Sequence, residues 1–144
     1  MMTIIKLIKS FGVLLFAALL VLYIGGCTAS NGDSVTLESA KWQAESLNGT
    51  KLVLSKSITI EFNKKALSVG GFAGCNTYFG SYAARENKLS FSELGATEMF
   101  CDNMKTESDF LNALKSVDSY KISGSKLTLY SGGAAVIVFK KSSE

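Results

Sequence analysis

Three cysteines and no histidine bound the chemistry open to this chain. Without histidine there is no imidazole general base, no Ser-His or Cys-His nucleophile pair and no imidazole metal ligand. Cys75 and Cys101 stand alone in the C-terminal part. Two thiolates without histidine make a poor zinc site, and the spacing is not that of a Cys-x-x-Cys redox pair. A disulfide is the expectation where the compartment is oxidising, with two buried free thiols as the alternative. The carboxylates Glu93, Glu98, Asp102, Glu107 and Asp109 form an acidic run with Lys105 as the counter-charge. Such a run suits a weak cation site or a hydrolase carboxylate pair. The alternating acids of a calcium loop are missing, however, and helix capping with a solvated face explains the run without chemistry. The stretch Gly70–Tyr82 (GGFAGCNTYFGSY) fails as a phosphate loop, because no Lys-Ser/Thr follows Gly74. Gly74 and Gly80 are read as structural glycines and Asn76 as a residue that bonds its local backbone. Phe72, Tyr78, Phe79, Tyr82 and Phe100 gather around the two cysteines. Core packing is the favoured reading of these rings over a pocket or partner surface. No catalytic residue, metal or cofactor is expected.

The elements that must position these residues are mostly strands. Ser57–Phe62 alternates with Ile58, Ile60 and Phe62 on one face. A turn at Asn63-Lys64-Lys65 leads into Ala66–Gly70, with Leu67 and Val69 expected inward. Trp42–Leu47 and Thr50–Leu54 flank Asn48-Gly49, a two-residue hairpin signal. Lys88–Phe91 reads as a short strand. Val117–Ile122 and Ser125–Tyr130 read as a hairpin about Ser123-Gly124, and Ala134–Phe139, apolar on both faces, as a central or doubly covered strand. Between Asn103 and Val117, Met104, Phe110, Leu111, Ala113, Leu114 and Val117 share one helical stripe, capped by Asp102 or by Thr106 with Asp109. One helix set between runs of strands excludes a doubly wound parallel sheet. The expected fold is α+β, a curved and mostly antiparallel sheet, open or cracked-barrel-like, wrapping one helix.

The N-terminus carries an address. Met1–Ser10 holds Lys6 and Lys9 and no acid, and Phe11–Ile24 is 14 residues of apolar chain. That is short for a membrane span, which needs about 20 residues, and fits a secretory signal better than an uncleaved anchor. Ile24-Gly25-Gly26-Cys27 resembles a bacterial lipobox. The thiol of Cys27 would take the lipid, and several acyl chains on one residue hold stably where one does not. The expected layout is a signal peptide over 1–26, a tether over 27–36 and a domain over 37–144. Thr28 rather than Asp after the lipidated cysteine points to the outer membrane, periplasmic face, of a double-membraned cell.

The full chain has 144 residues and formal net charge +3. Without residues 1–26 it has 118 residues, 13 basic and 12 acidic side chains, and Arg85 as its one arginine. A near-neutral domain argues against a nucleic-acid binder, which needs a basic face.

Together the motifs resemble the META/HslJ-like domain family. Its pattern is matched by Trp42 through Asn48-Gly49, by Gly71–Tyr82 with Gly74-Cys75-Asn76 at its centre, by Thr97-Glu98-Met99-Phe100-Cys101, by Glu107 through Leu114, and by the closing Leu127–Tyr130 and Val136–Phe139. The resemblance covers roughly Lys41–Lys140. It implies a curved antiparallel sheet around one helix, with Gly74, Asn76, Gly80, Thr97, Met99 and Glu107 as motif positions of structural or binding use. It strengthens the pairing of Cys75 with Cys101 and brings no established catalytic residue. Bacterial members are often secreted or lipid-anchored, and some are linked to heat-shock or antibiotic stress. The reading is a non-enzymatic envelope lipoprotein in stress tolerance, binding an envelope protein or apolar ligand and held to the membrane by its lipid. A pilot or chaperone lipoprotein for an exported protein, and a carboxylate-dependent hydrolase, are the alternatives.

Overall fold

A computed structural model describes residues 35–102 and 104–143. The expected signal segment, the lipobox and Cys27 lie outside the described residues.

Alternation of apolar and polar side chains builds nine strands, every pairing of which is antiparallel. They are β1 (Trp42–Leu47), β2 (Thr50–Lys51), β3 (Thr59–Asn63), β4 (Ser68–Phe72), β5 (Thr77–Arg85), β6 (Lys88–Ala96), β7 (Ser119–Ser123), β8 (Lys126–Ser131) and β9 (Ala134–Lys141). A helix, α1 (Met104–Ser116), separates β6 from β7, and one turn of 3-10 helix (Leu37–Ser39) precedes β1. Each strand from β3 to β8 pairs with its successor. β9 then pairs with β1, and β1 with β3, so the sheet closes on itself. β2 is a short flap folded back on β1 through Asn48-Gly49, whose φ values of 48° and 78° are those the two-residue turn needs.

The ring is uneven. β5 and β6 share seven register pairs, whereas β6 and β7 share one, Lys88 opposite Ser119. Two flanking backbone bonds, Leu89 N–H to Asp118 C=O (3.2 Å) and Tyr120 N–H to Asn87 C=O (2.9 Å), complete this seam. Beyond it the chain that would extend β7 alongside β6 is helix instead. Ring closure with one thin seam is the cracked barrel of the sequence reading.

The core fills the ring. Trp42, Ile58, Ile60, Phe110, Leu114, Leu127, Leu129, Ile137 and Phe139 are fully buried. Each large apolar side chain taken from water contributes about 1.5–3 kcal/mol. The Trp42 indole N–H donates to the Leu37 carbonyl at 2.9 Å, so its one polar atom is satisfied. α1 buries Glu107, Phe110, Ala113 and Leu114, spaced as one helical stripe, and an i,i+4 pair of Lys105 with Asp109 at 2.7 Å lies on its surface.

The structure corrects several expectations. Leu67 does not point inward: it ends the turn at φ 49°, is 57% exposed, and leaves β4 to begin at Ser68. Thr50–Leu54 pairs only over Thr50–Lys51. β6 is nine residues long, not four, because a bulge lets it continue past Phe91. Thr106 lies inside the helix and so does not cap it. β9 is central, with β8 and β1 on its two sides, yet Val136 and Val138 on its other face are only half-buried.

Tyr82 makes the fold sensitive to alkali. Its hydroxyl donates to Glu38 Oε1 at 2.9 Å. Burial first, and then the bond to Glu38 and the charge on it, push the phenol up to about 12. Partial burial works against the Glu38 carboxylate. Bonds from its own backbone N–H, from Tyr82 and from Thr36 outweigh that and hold it below the usual range. A raised acid stabilises the fold fully below its unfolded pKa and loses that contribution as pH rises through the folded one. Urea-unfolding stability is therefore expected to fall between about pH 10 and pH 12. Tyr82→Phe should make that limb shallower, with the Tyr78 phenol, also raised by burial, keeping part of it. An unchanged limb would show that Tyr82 does not contribute.

Candidate functional site

The motif positions other than Gly80 meet at one end of β4, where the β4–β5 turn, the loop 97–102 and the first turn of α1 come together. Gly74 takes φ 108° in that turn, a conformation that side chains resist. The turn aims the backbone N–H groups of Cys75 and Asn76 at Glu107. Oε2 of Glu107 accepts from Cys75 N–H (3.2 Å) and Asn76 N–H (2.5 Å), and Oε1 accepts from Asn76 Nδ2 (2.8 Å). Asn76 is equally committed. Its Nδ2 also donates to the Met99 carbonyl at 3.1 Å, while its Oδ1 accepts from Thr97 Oγ1 (2.8 Å) and Met99 N–H (2.7 Å). Asn76 and Glu107 are 2% and 7% exposed. One amide and one carboxylate thus tie three segments of chain together in a dry setting, where hydrogen bonds are strong and unpaired groups costly.

Beside this knot Cys75 and Cys101 form a disulfide with their Cα atoms 5.9 Å apart. It closes a sequence separation of 26 residues. In the chain-entropy model that is worth roughly 3.5 kcal/mol. Reduction is expected to lower stability by about 2–4 kcal/mol in denaturant unfolding. Alkylation of the unreduced, unfolded protein checks the premise, since labelling of both cysteines would remove it.

Gly80 serves a different place. It faces two β6 residues at the β5–β6 bulge, and a Cβ there would meet Leu94 Cδ2 at 2.7 Å and the Ser92 carbonyl at 2.9 Å. On β6 the bulge puts Glu93 at φ 54°, and Ser81 Oγ donates to Glu93 Oε2 at 3.0 Å.

The acidic run therefore disperses. Glu93 lies on the bulge, Asp109 pairs with Lys105, Glu98 and Asp102 are exposed, and Glu107 is buried with both oxygens bonded. Reading Glu107 as a capping or solvated residue is corrected: it lies three residues before Phe110, on the buried stripe. That phase was the available signal. Among the described residues no group of three or more His, Cys, Asp or Glu is placed to hold a metal. The aromatic cluster also splits. Tyr78 and Tyr82 are core, Phe72 is half-buried, and Phe79 and Phe100 are 60% and 95% exposed.

This knot of turn, loop and helix is assembled from the segments that carry the sequence resemblance, and the META domain family model matches residues 35–144. The chain belongs to the META domain family. An NMR structure of a protein from Burkholderia xenovorans is 28% identical to this META domain, covers 75% of this chain and 85% of its own, and superposes with a TM-score of 0.58. A second protein solved by NMR is 23% identical over 74% of this chain and 95% of its own, with a TM-score of 0.61, and shows the shared fold. No curated protein sequence matches the chain.

In this META domain, then, the motif is a clasp. Its polar atoms are bonded to one another, and what it holds out to solvent is the loop 97–102. Met99 is 56% exposed and Phe100 95%, with Met104 at 38% at the head of α1.

Proposed function

We propose that this META domain is the folded part of a non-enzymatic, lipid-anchored envelope protein whose loop 97–102 binds a protein segment or apolar ligand. The observation that carries the reading is Phe100, 95% exposed on a loop fixed by a disulfide and by both backbone groups of Met99. An apolar side chain on a pre-ordered loop loses little freedom on binding, which favours association. Exposed apolar groups gathered in one segment mark interaction surfaces. The disulfide suits an exported protein, and Ile24-Gly25-Gly26-Cys27 supplies the anchor. The location proposed is the cell envelope, on the periplasmic face of the outer membrane in a double-membraned cell, with a role in envelope stress or antibiotic tolerance. A pilot role for one exported protein is a narrower form of the same reading.

Two measurements test it. Labelled palmitate should enter the wild type and not Cys27→Ser, and equal labelling of both would end the anchor. A photoreactive phenylalanine analogue at position 100 should give a discrete adduct in cells, while the same analogue at Val53, 88% exposed, should not. Matching adducts at both positions would count against a specific surface.

A further inference from the structure

The β3–β4 turn presents a second apolar outlier, at the other end of β4 from the clasp. Lys64, Lys65 and Ala66 are exposed, and Leu67 stands 57% exposed in a left-handed conformation. The turn is ordered, because Asn63 Oδ1 accepts from the backbone N–H groups of Lys65 and Ala66, both at 3.1 Å. Among the described residues neither lysine is within ion-pair distance of an acid. Of the nearby acids, Glu61 pairs with Lys41 at 3.4 Å, and Glu38 accepts from the Tyr82 hydroxyl while the Lys64 charge helps hold its carboxyl below the usual range.

This turn sits where the chain enters the domain. The Tyr82 backbone N–H donates to the Leu67 carbonyl at 2.9 Å, and the same residue's hydroxyl holds Glu38, three residues after Val35. Glu38, Glu61, Lys64 and Lys65 border one open groove of about 700 Å³, and the two lysines lie on its turn side. Only seven residues, 28–34, separate Cys27 from Val35. Fully extended they reach about 25 Å, close to the length of a nine-residue strand. An anchor at Cys27 therefore keeps this domain beside the bilayer, and charge decides which end faces it. The loop 97–102 places Phe100 between Glu98 and Asp102, which anionic headgroups repel. The β3–β4 turn places Leu67 beside two lysines, which such headgroups attract over about a Debye length.

We propose that the β3–β4 turn, Lys64 to Leu67, is a second membrane contact that seats on an anionic phospholipid surface, with Leu67 dipping into the interface and Lys64 and Lys65 on the headgroups. The inference rests on the lipid-anchored reading above. It deepens that reading by turning the clasp end, with Phe100, away from the membrane.

The test uses the full chain purified from membranes and reconstituted into vesicles of brominated phosphatidylcholine, with or without phosphatidylglycerol. Leu67→Trp is the reporter. Ala66→Trp, whose backbone is unstrained, serves if that variant folds poorly. Bromine is expected to quench the reporter's added emission, more strongly with phosphatidylglycerol and less at high salt. Lys64→Ser with Lys65→Ser should reduce the quenching severalfold, and Phe79→Trp, 60% exposed beside Glu93, should show none. Equal quenching of the reporter and Phe79→Trp would overturn the proposal, as would quenching of Phe100→Trp in place of the reporter. The mass of the same sample separates the two ideas. Lipid on Cys27 with an unquenched reporter overturns the docking turn alone. A quenched reporter on an unlipidated chain supports the docking turn and removes the lipid anchor.

Discussion

Glu107→Ala is expected to destabilise the fold by about 3–5 kcal/mol. The carboxylate accepts from three donors, Cys75 N–H, Asn76 N–H and Asn76 Nδ2. Removing it leaves two backbone N–H groups and one hydrogen of the Asn76 amide without an acceptor in a buried place, at about 1–3 kcal/mol each, with part of that recovered as water enters and Nδ2 still donating to the Met99 carbonyl. Glu107→Gln keeps the shape but turns an amide donor toward an existing donor, so an intermediate loss is expected. Glu98→Ala, at an exposed position nine residues away in sequence, should change stability by no more than about 0.5 kcal/mol. Urea unfolding with the disulfide intact measures all three. A Glu107→Ala loss below about 1 kcal/mol would show that the carboxylate does not hold the clasp.

Phe110→Ala is expected to cost about 3–5 kcal/mol, the range for emptying a buried aromatic site. The ring is fully buried on α1 and meets two others edge-on, Tyr78 of β5 at 5.5 Å and Phe139 of β9 at 6.4 Å between centroids. It thus joins the helix to strands on well-separated parts of the ring, and no single neighbour can move in to fill the void. Leu111→Ala, half-buried on the same helix, should cost less. The comparison is made by thermal and denaturant unfolding, and equal losses at the two positions would mean the helix is not seated by Phe110.

Local pattern carried much of this fold, and particular residues show where it stopped. Ile58, Ile60 and Phe62 keep strict alternation and are all buried, so β3 was legible. The Asn48-Gly49 turn and the apolar stripe of α1 were legible for the same reason, since each is a property of a few neighbouring residues. β5 was hidden. Tyr78, Gly80 and Tyr82 share one face, but the glycine at the bulge removes the middle side chain and Phe79 stands on the other face. β6 was cut short because the two-for-one pairing at the bulge shifts its parity, so Leu89 and Phe91 are followed by Leu94 rather than by residue 93. Of the clasp, the cysteines and Asn76 could be singled out by type. The role of Glu107 depends on a turn more than thirty residues away, which no window on the sequence contains.

Closure of the sheet through its first and last long strands has a consequence for the timing of folding. Trp42 of β1 lies opposite Lys141 of β9, so the ring is completed by contacts between the two ends of the domain's chain. Such pairing is of high contact order, and its loop-closure entropy must be met before the contacts return anything. Before β9 is available, β1 has strand partners only in β2 and, over two residue pairs, in β3, and lacks its longest pairing. The ring accordingly cannot close until β9 is free to pair with β1. The arrival of β9 then lets the sheet shut in one cooperative step.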